Sequence, residues 1–479
     1  MRMHEAELSA WQSCHSTTSP VASLPPEILT AIFLYVTEID APRANTYPGG
    51  RHRKSLGWIK ITHVCPRWRQ IALGTPLLWR NIVLRAGGTE TMLQRAAGVL
   101  LRVNVATNPR KFRTQLAPLQ KPTSRLQVLS LVMMGGWRNG RRSMALVPHT
   151  WLCNAQDSMR ELSLDFVYCD WGRLRFPAMV SLKLSYLGLR HQRAAMKHLP
   201  TVSMLASALA TMPNLQILDL CNAVSPRSLP KDSTDPFIRT PLPNLSTFNI
   251  DMDMRLCTLL LRHLAIPHEA DIVIISRDDE PDIQSLAAQL DELQDYLVAY
   301  PAHAAPAFHL TIAYRAWRAE VHAQGSVAGS FHGIFDSDAE GMTILLGKLP
   351  LADADHLELG PFGFHRDNLP NWNQIFGSIN LKLRRARTVT INLETSSEVL
   401  LALLERGPQM MPLLKTLVIR IDFIDQMPDR DLFRARLDEL SSVETIEVHT
   451  YALSLEEKME DYMDGVRPEV RYVTLNWNV

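Results

Sequence analysis

The 479-residue sequence has no apolar run approaching a bilayer-spanning helix, which needs about 20 residues. Its first twenty residues, MRMHEAELSAWQSCHSTTSP, lack the apolar stretch of a secretory leader. The expectation is a protein of the cytoplasm or nucleus with no membrane partner. Cysteines are few, at 14, 65, 153, 169, 221 and 257, and none are paired as Cys-x-x-Cys. That excludes the usual zinc and dithiol signatures and predicts free thiols. Acids are nearly missing from one region: Ala41 to Arg142 holds nineteen Lys/Arg and a single acid, Glu90. Met1–Asp40 nets −4 and the residues from Ser143 onward net −13, so the total of +1 hides a basic block on an acidic body. Such a block, residues 43–142, fits an acidic partner or, as a lesser alternative, nucleic acid. It lacks aromatics interleaved at a stacking spacing, which lowers the nucleic-acid reading.

Catalytic signatures are also missing. There is no Gly-x-Ser-x-Gly and no phosphate-binding Gly-x-x-x-x-Gly-Lys-Ser/Thr. His365-Arg366-Asp367 has the start of a kinase loop, but Trp372 stands where that loop needs Asn. Asp251/Asp253 and Asp336/Asp338 do not continue into a calcium loop, and His263 and His268 lack partners at metal-ligand spacing. His63 and Cys65, two apart on a helix, point about 200° apart and cannot pair as base and nucleophile. The chain is expected to be no enzyme and to need no cofactor or metal.

What is present begins at Ser23. Ser23 as cap, prolines 25 and 26 in the first turn and Glu27 at the positive end of the dipole start a helix. Ile28, Leu29, Ile32, Phe33 and Val36 form its apolar face. Residues 38–56 read as a loop, with Pro42, Pro48, Gly49, Gly50 and the run Arg51-His52-Arg53-Lys54. A second stripe follows at Trp58, Ile61, Val64, Cys65 and Trp68, with Pro66 inside it to kink or split the helix. Gly74-Thr75-Pro76 ends it, and Leu77, Leu78 and Trp79 open another apolar segment.

"SLPPEILTAIFLYV" followed by "GWIKITHVCPRWRQIALGTPLLWRNI" resembles an F-box, most closely the F-box-like modules of mushroom-type fungi. The resemblance covers about Leu24 to Val83. It implies three helices at 21–85 that dock a Skp1-like adaptor and, through it, a cullin ubiquitin ligase. By the same resemblance the adaptor-binding residues would be Leu24, Pro25, Pro26, Glu27, Ile28, Leu29, Ile32, Phe33, Val64, Cys65, Trp68 and Trp79.

Beyond the module a pattern recurs: apolar-x-x-apolar-x-apolar. Copies include Leu126–Leu131, Met159–Leu164, Met179–Leu184, Leu215–Leu220, Leu245–Ile250, Ala354–Leu359, Ala386–Ile391, Leu414–Ile419, Val443–Val448 and Val470–Leu475. Leu101–Val105 precedes them, and degenerate copies lie at Val273–Ile275 and Leu310–Ile312. Alternation of this kind predicts short strands with one buried face. Helix-like segments intervene at Ile283–Tyr300, Glu398–Glu405, Leu432–Leu440 and Leu455–Met463. The pattern resembles leucine-rich repeats, but its steps run from 20 to 47 residues, against about 20–29 for that family. Met134, Val167, Ala223 and Asp253 stand where an Asn or Cys is due. The expected fold is therefore α+β: a disordered N-terminus (1–20), a three-helix F-box module (21–85) and an irregular leucine-rich-repeat-like α/β solenoid with a parallel strand face (86–479). A compact α/β domain is the competing fold. The functional expectation is a ligase substrate receptor whose repeats bind an unknown protein target. An F-box scaffold acting outside a ligase is the alternative.

Overall fold

The computed structural model describes residues 20–42, 56–84, 88–119, 123–134, 144–186, 198–228, 239–267, 270–276, 308–315, 318–325, 330–335, 356–361, 386–393, 398–421, 427–439, 442–450, 453–466 and 468–474. Two compact units divide it: residues 1–200 with 207–215, and residues 201–206 with 216–479.

The first unit opens with helix α1 (Pro26–Ile39), a 3₁₀ segment (Gly57–His63), helix α2 (Pro66–Gly74) and a 3₁₀ turn (Pro76–Trp79). Helix α1 occupies 38 and 39, which the sequence reading gave to the loop; residues 43–55 of that loop lie outside the described residues. The helical module is not a bead apart. Strand β1 (Asn81–Ile82) follows it directly and pairs in parallel with β2 (Leu101–Thr107). Then come β3 (Leu126–Met133), β4 (Glu161–Asp165) and β5 (Ser181–Ser185), giving a parallel order β1-β2-β3-β4-β5. Each strand buries alternate residues: Leu101, Val103 and Val105 on β2, Leu162 and Leu164 on β4, Leu182 and Leu184 on β5. The other face of these strands is half-buried or exposed, except at Val128 on β3.

The second unit holds β6 (Ile217–Cys221), β7 (Thr247–Met252), β8 (Asp271–Ser276), β9 (Phe308–Arg315), β10 (Arg318–Gly325), β11 (Ser330–Phe335), β12 (His356–Pro361), β13 (Thr388–Asn392), β14 (Thr416–Ile421), β15 (Thr445–Thr450) and β16 (Glu469–Thr474). Helices at Met254–His263, Glu398–Met410, Arg430–Glu439 and Leu453–Met463 fill connections. The expected helix at Ile283–Tyr300 lies outside the described residues. Strand order is β6-β7-β8-β11-β10-β9-β12-β13-β14-β15-β16. One departure from an all-parallel face is clear. β10 pairs antiparallel with both β9 and β11, while β8–β11 and β9–β12 are parallel. β10 has no apolar-x-x-apolar-x-apolar motif and is not among the expected strands.

Two local devices recur among the repeats. The first is a proline turn before the strand. In Phe176-Pro177-Ala178-Met179, Met212-Pro213-Asn214-Leu215, Leu242-Pro243-Asn244-Leu245 and Met411-Pro412-Leu413-Leu414 the fourth N–H donates to the first carbonyl at 3.1, 3.1, 3.1 and 3.2 Å. Proline's fixed φ suits the second position of such a turn. Both apolar ends are buried, Phe176, Met212, Leu242 and Met411 as well as Met179, Leu215, Leu245 and Leu414. The turn thus places a core residue two positions before the strand begins.

The second is the strand exit. Phe166 after β4 and Asn222 after β6 take φ of 54° and 48°. Each donates its N–H to the neighbouring strand, Phe166 to Ser185 O at 2.9 Å and Asn222 to Asp251 O at 2.7 Å. Asn tolerates this conformation; Phe is strained there and is held by a ring that is 1% exposed.

Candidate functional site

The helical module builds its core from one face of α1. Leu29, Phe33 and Thr37 are buried, a single line along the 14-residue helix. Thr37 satisfies its hydroxyl on Leu34 O at 2.7 Å. Phe33 meets Trp68 edge-on, with ring centroids 5.1 Å apart. Trp58 and Trp79 form a second edge-on pair at 4.8 Å, and the Trp79 Nε1–H donates to Ala72 O at 2.8 Å. The Arg95 guanidinium lies over the Trp79 ring at 4.4 Å. These aromatic contacts tie α1, α2 and the two 3₁₀ segments together.

Gly57 makes the chain's return possible. It has φ +55°, and a Cβ there would sit 2.4 Å from Asp40 O and 2.6 Å from Pro42 N, both backbone atoms. Only glycine lets the backbone approach this closely. Trp58 N–H then donates to Asp40 O at 2.7 Å, closing the end of α1.

Pro66 splits the second helical stripe rather than kinking it. It sits at the first position of α2, where its missing N–H costs nothing. Cys65 is the N-cap: in extended conformation, its Sγ accepts from Trp68 N–H at 3.5 Å. Arg67 and Arg69 are engaged with the fold. Arg67 donates to Leu24 O at 2.5 Å, and Arg69 to Thr62 O at 2.8 Å. At the start of α1 the cap position falls on Pro25, not on Ser23, which ends a short 3₁₀ turn.

The outward face of α1 is also apolar. Ile28, Ile32, Tyr35 and Ile39 are 49%, 42%, 68% and 61% exposed. Their spacing of four, three and four residues makes one continuous stripe. Val21, Val64 and Leu77 add exposed apolar side chains elsewhere on the module. So α1 has two apolar faces, and the fold uses one.

This sorts the twelve residues expected to bind an adaptor. Pro25, Pro26, Glu27, Ile28, Ile32 and Val64 are exposed; Leu24, Cys65 and Trp68 are half-buried. Leu29, Phe33 and Trp79 are interior at 0%, 1% and 1% exposed, so here they are core and present no surface. Tyr35 and Ile39, which continue the outer stripe, are not among the twelve. The sequence pattern places 28, 29, 32, 33 and 36 on one face, whereas the structure divides α1 into an inner line and an outer one.

Among the described residues, other candidate chemistry does not assemble. His365-Arg366-Asp367, Asp336/Asp338 and His268 lie outside the described residues. His63 is exposed while Cys65 caps α2. His263 contacts Leu259 O through Nδ1 at 2.8 Å, within its own helix. Asp253 caps that helix through Arg255 N–H at 2.9 Å. Among the described residues no group of three His, Cys, Asp or Glu side chains is placed to hold a metal, and no helix is long and apolar enough to cross a membrane.

The comparisons agree with the module. The family model for F-box-like domains matches residues 21–85. Among solved structures, a leucine-rich repeat-containing protein, LegL7 from Legionella pneumophila, aligns over 80% of this chain and 97% of its own, at 11% identity and a TM-score of 0.33. That score is too low to rest an argument on. No curated protein matches the chain. Residues 21–85 are therefore an F-box-like domain, followed by repeats whose strands have the leucine-rich pattern.

Proposed function

We propose that this chain is the substrate-recognition subunit of a Skp1–cullin–F-box ubiquitin ligase, with α1 docking a Skp1-like adaptor and the repeats holding a protein cargo. The observation that supports it most is the outward stripe Ile28, Ile32, Tyr35 and Ile39, a line of apolar side chains with no use inside the module. Such a line costs solubility in a lone domain and gains free energy only when a partner covers it. An amphipathic partner groove reads it as helix anchors at i, i+4, i+7 and i+11. On this reading the chain carries no catalysis of its own, and transfer of ubiquitin belongs to the assembled ligase. It works in the cytoplasm, the nucleus or both.

The test is reconstitution. The full chain is co-expressed with a Skp1-like adaptor, and the complex is challenged with a cullin. Co-elution of all three on gel filtration is the expected result. Adaptor binding without cullin recruitment makes the chain an F-box scaffold outside a ligase. No adaptor binding removes the reading altogether.

A further inference from the structure

Inside the first unit, a cleft of about 420 Å³ opens on the face of the sheet that the repeats do not bury. That volume is in the range of ligand sites. Its wall is the end of α1 at Thr37 and Glu38, with Ala41 and Pro42 beyond it. Its floor is two rows of side chains in register across β2 to β5. One row is Arg102, Val128, Glu161 and Ser181; the other is Asn104, Ser130, Ser163 and Lys183. Three strand spacings make each row about 14 Å long, the length of roughly four extended residues. In the second row the centre is small, with Ser130 and Ser163 between Asn104 and Lys183.

The charges at the α1 end are unevenly matched. Glu38 is the single carboxylate shared by Arg80 and Arg102. Arg80 is in direct contact with it, whereas Arg102 Nη1 stands 3.6 Å off. Among the described residues, the Nε–H groups of both arginines are buried without an acceptor. A buried charged donor without a partner is costly, so this corner has more donors than acceptors. The Nε atoms themselves are closed off, but the Arg102 side chain is 32% exposed and stands off from Glu38, so its guanidinium is where a second carboxylate can bind. At the far end Lys183 is exposed and Glu161 beside it is exposed, so the floor offers alternating positive and negative positions to an extended chain.

We propose that this cleft binds an extended peptide segment that presents a carboxylate to Arg102, laid across β2 to β5. The floor serines and Asn104 meet the peptide backbone, and Lys183 takes a second acidic group about four residues along. The carboxylate comes from an Asp or Glu side chain or from a chain end; the chemistry is the same. The site stands on the cleft alone. That the peptide is part of a cargo rests on the ligase reading above.

The experiment uses the full-length chain and two bead-bound octapeptide libraries, one blocked at both ends and one with a free C-terminal carboxyl group. The expected result is enrichment of an acid at a fixed position in the blocked library, or of free carboxyl ends in the other; the two arms assign the source. The best peptide, re-made and measured by fluorescence anisotropy, should bind at least about tenfold more weakly to Arg102→Gln. Ser130→Phe, which fills the floor and leaves every charge in place, should abolish binding. Unaltered melting temperatures exclude unfolding as the cause. Peptides selected without an acid, or bound equally by wild type, Arg102→Gln and Ser130→Phe, overturn the proposal. So does a phosphoserine peptide bound where its glutamate counterpart is not. Ile32→Asp separates the two claims: adaptor binding should vanish and peptide binding persist, so either can fail without the other.

Discussion

Replacing Ile32 by Asp and, separately, Phe33 by Ala divides the two faces of α1. Phe33 is 1% exposed and packs edge-on against Trp68 at 5.1 Å. Losing it opens a cavity in a small core, which costs about 3–5 kcal/mol. Ile32 is 42% exposed, so its replacement leaves the fold nearly untouched, within about 0.5 kcal/mol. Docking reverses the order of harm. Full burial of an isoleucine is worth roughly 1.5–3 kcal/mol; the part still exposed contributes about 1 kcal/mol when a partner covers it. Placing a carboxylate in that dry contact adds a penalty of several kcal/mol. The sum exceeds about 3 kcal/mol, a loss of at least roughly a hundredfold in affinity. Urea unfolding gives the stability of each variant, and isothermal titration with a purified Skp1-like adaptor gives the affinity. The reasoning fails if Ile32→Asp destabilises as much as Phe33→Ala, because the outer stripe would then be core. It fails equally if Ile28→Asp and Ile32→Asp both bind the adaptor as wild type does.

Three further outcomes follow from single features. Gly57→Ala should destabilise by at least about 2 kcal/mol in urea, since φ +55° and a Cβ 2.4 Å from Asp40 O leave only backbone to move; a loss under about 0.5 kcal/mol would refute the close approach. Cys65→Ser should keep or raise stability by up to about 1 kcal/mol, because a hydroxyl caps better than a thiol at the position where Sγ now accepts from Trp68; a large loss would show the thiol does something else. Burial pushes the Cys169 thiol well above its ordinary 9.0, with Asp170 adding to the rise, and the Tyr186 phenol well above its ordinary 10.0, with Cys169 and Asp165 adding to it. The folded chain therefore holds these protons after the unfolded chain has lost them. This contribution is complete below about pH 9 and is lost as pH rises, beyond about 9 for Cys169 and beyond about 10 for Tyr186, at up to about 1.4 kcal/mol per pH unit for each group. Tyr186→Phe loses the bond from its hydroxyl to Val167 O, 2.7 Å, and should flatten that alkaline fall; an unchanged slope in equilibrium unfolding would sink the assignment.

What could be read ahead of the structure was what repeats. The Leu-x-x-Leu-x-Leu strands announce themselves because period-two alternation is a direct image of a half-buried strand. Leu162 and Leu164, or Leu218 and Leu220, are buried as that pattern requires. The proline turn of Met212-Pro213-Asn214-Leu215 supports the same strands from outside, since proline's φ suits the turn and Leu215 is buried. The antiparallel β10 was not legible, because a hairpin return such as Arg318–Gly325 needs only β-propensity and a partner, not the repeat signature. Phe166 at φ 54° was also out of reach: no local rule places a phenylalanine there, and only burial of its ring holds it.

The site was half legible for a related reason. Helical periodicity tells which residues share a direction, but not which direction the fold will bury. On α1, residues 28, 29, 32 and 33 lie on adjacent rows, and both rows are apolar. Hydrophobicity alone makes them one broad face. What separates them is the position of Trp68, brought against Phe33 only because Pro66 restarts the helix and Cys65 caps it. The motif residues that identify the module are thus of two kinds. Phe33 and Trp79 shape it from within, while Ile28 and Ile32 are left outside by that shaping. The outer stripe also runs on to Tyr35 and Ile39, beyond the residues that made the module recognisable. Building the module's core and exposing an apolar line are physically one act here, since a helix with two adjacent apolar rows buries only one of them in its own domain.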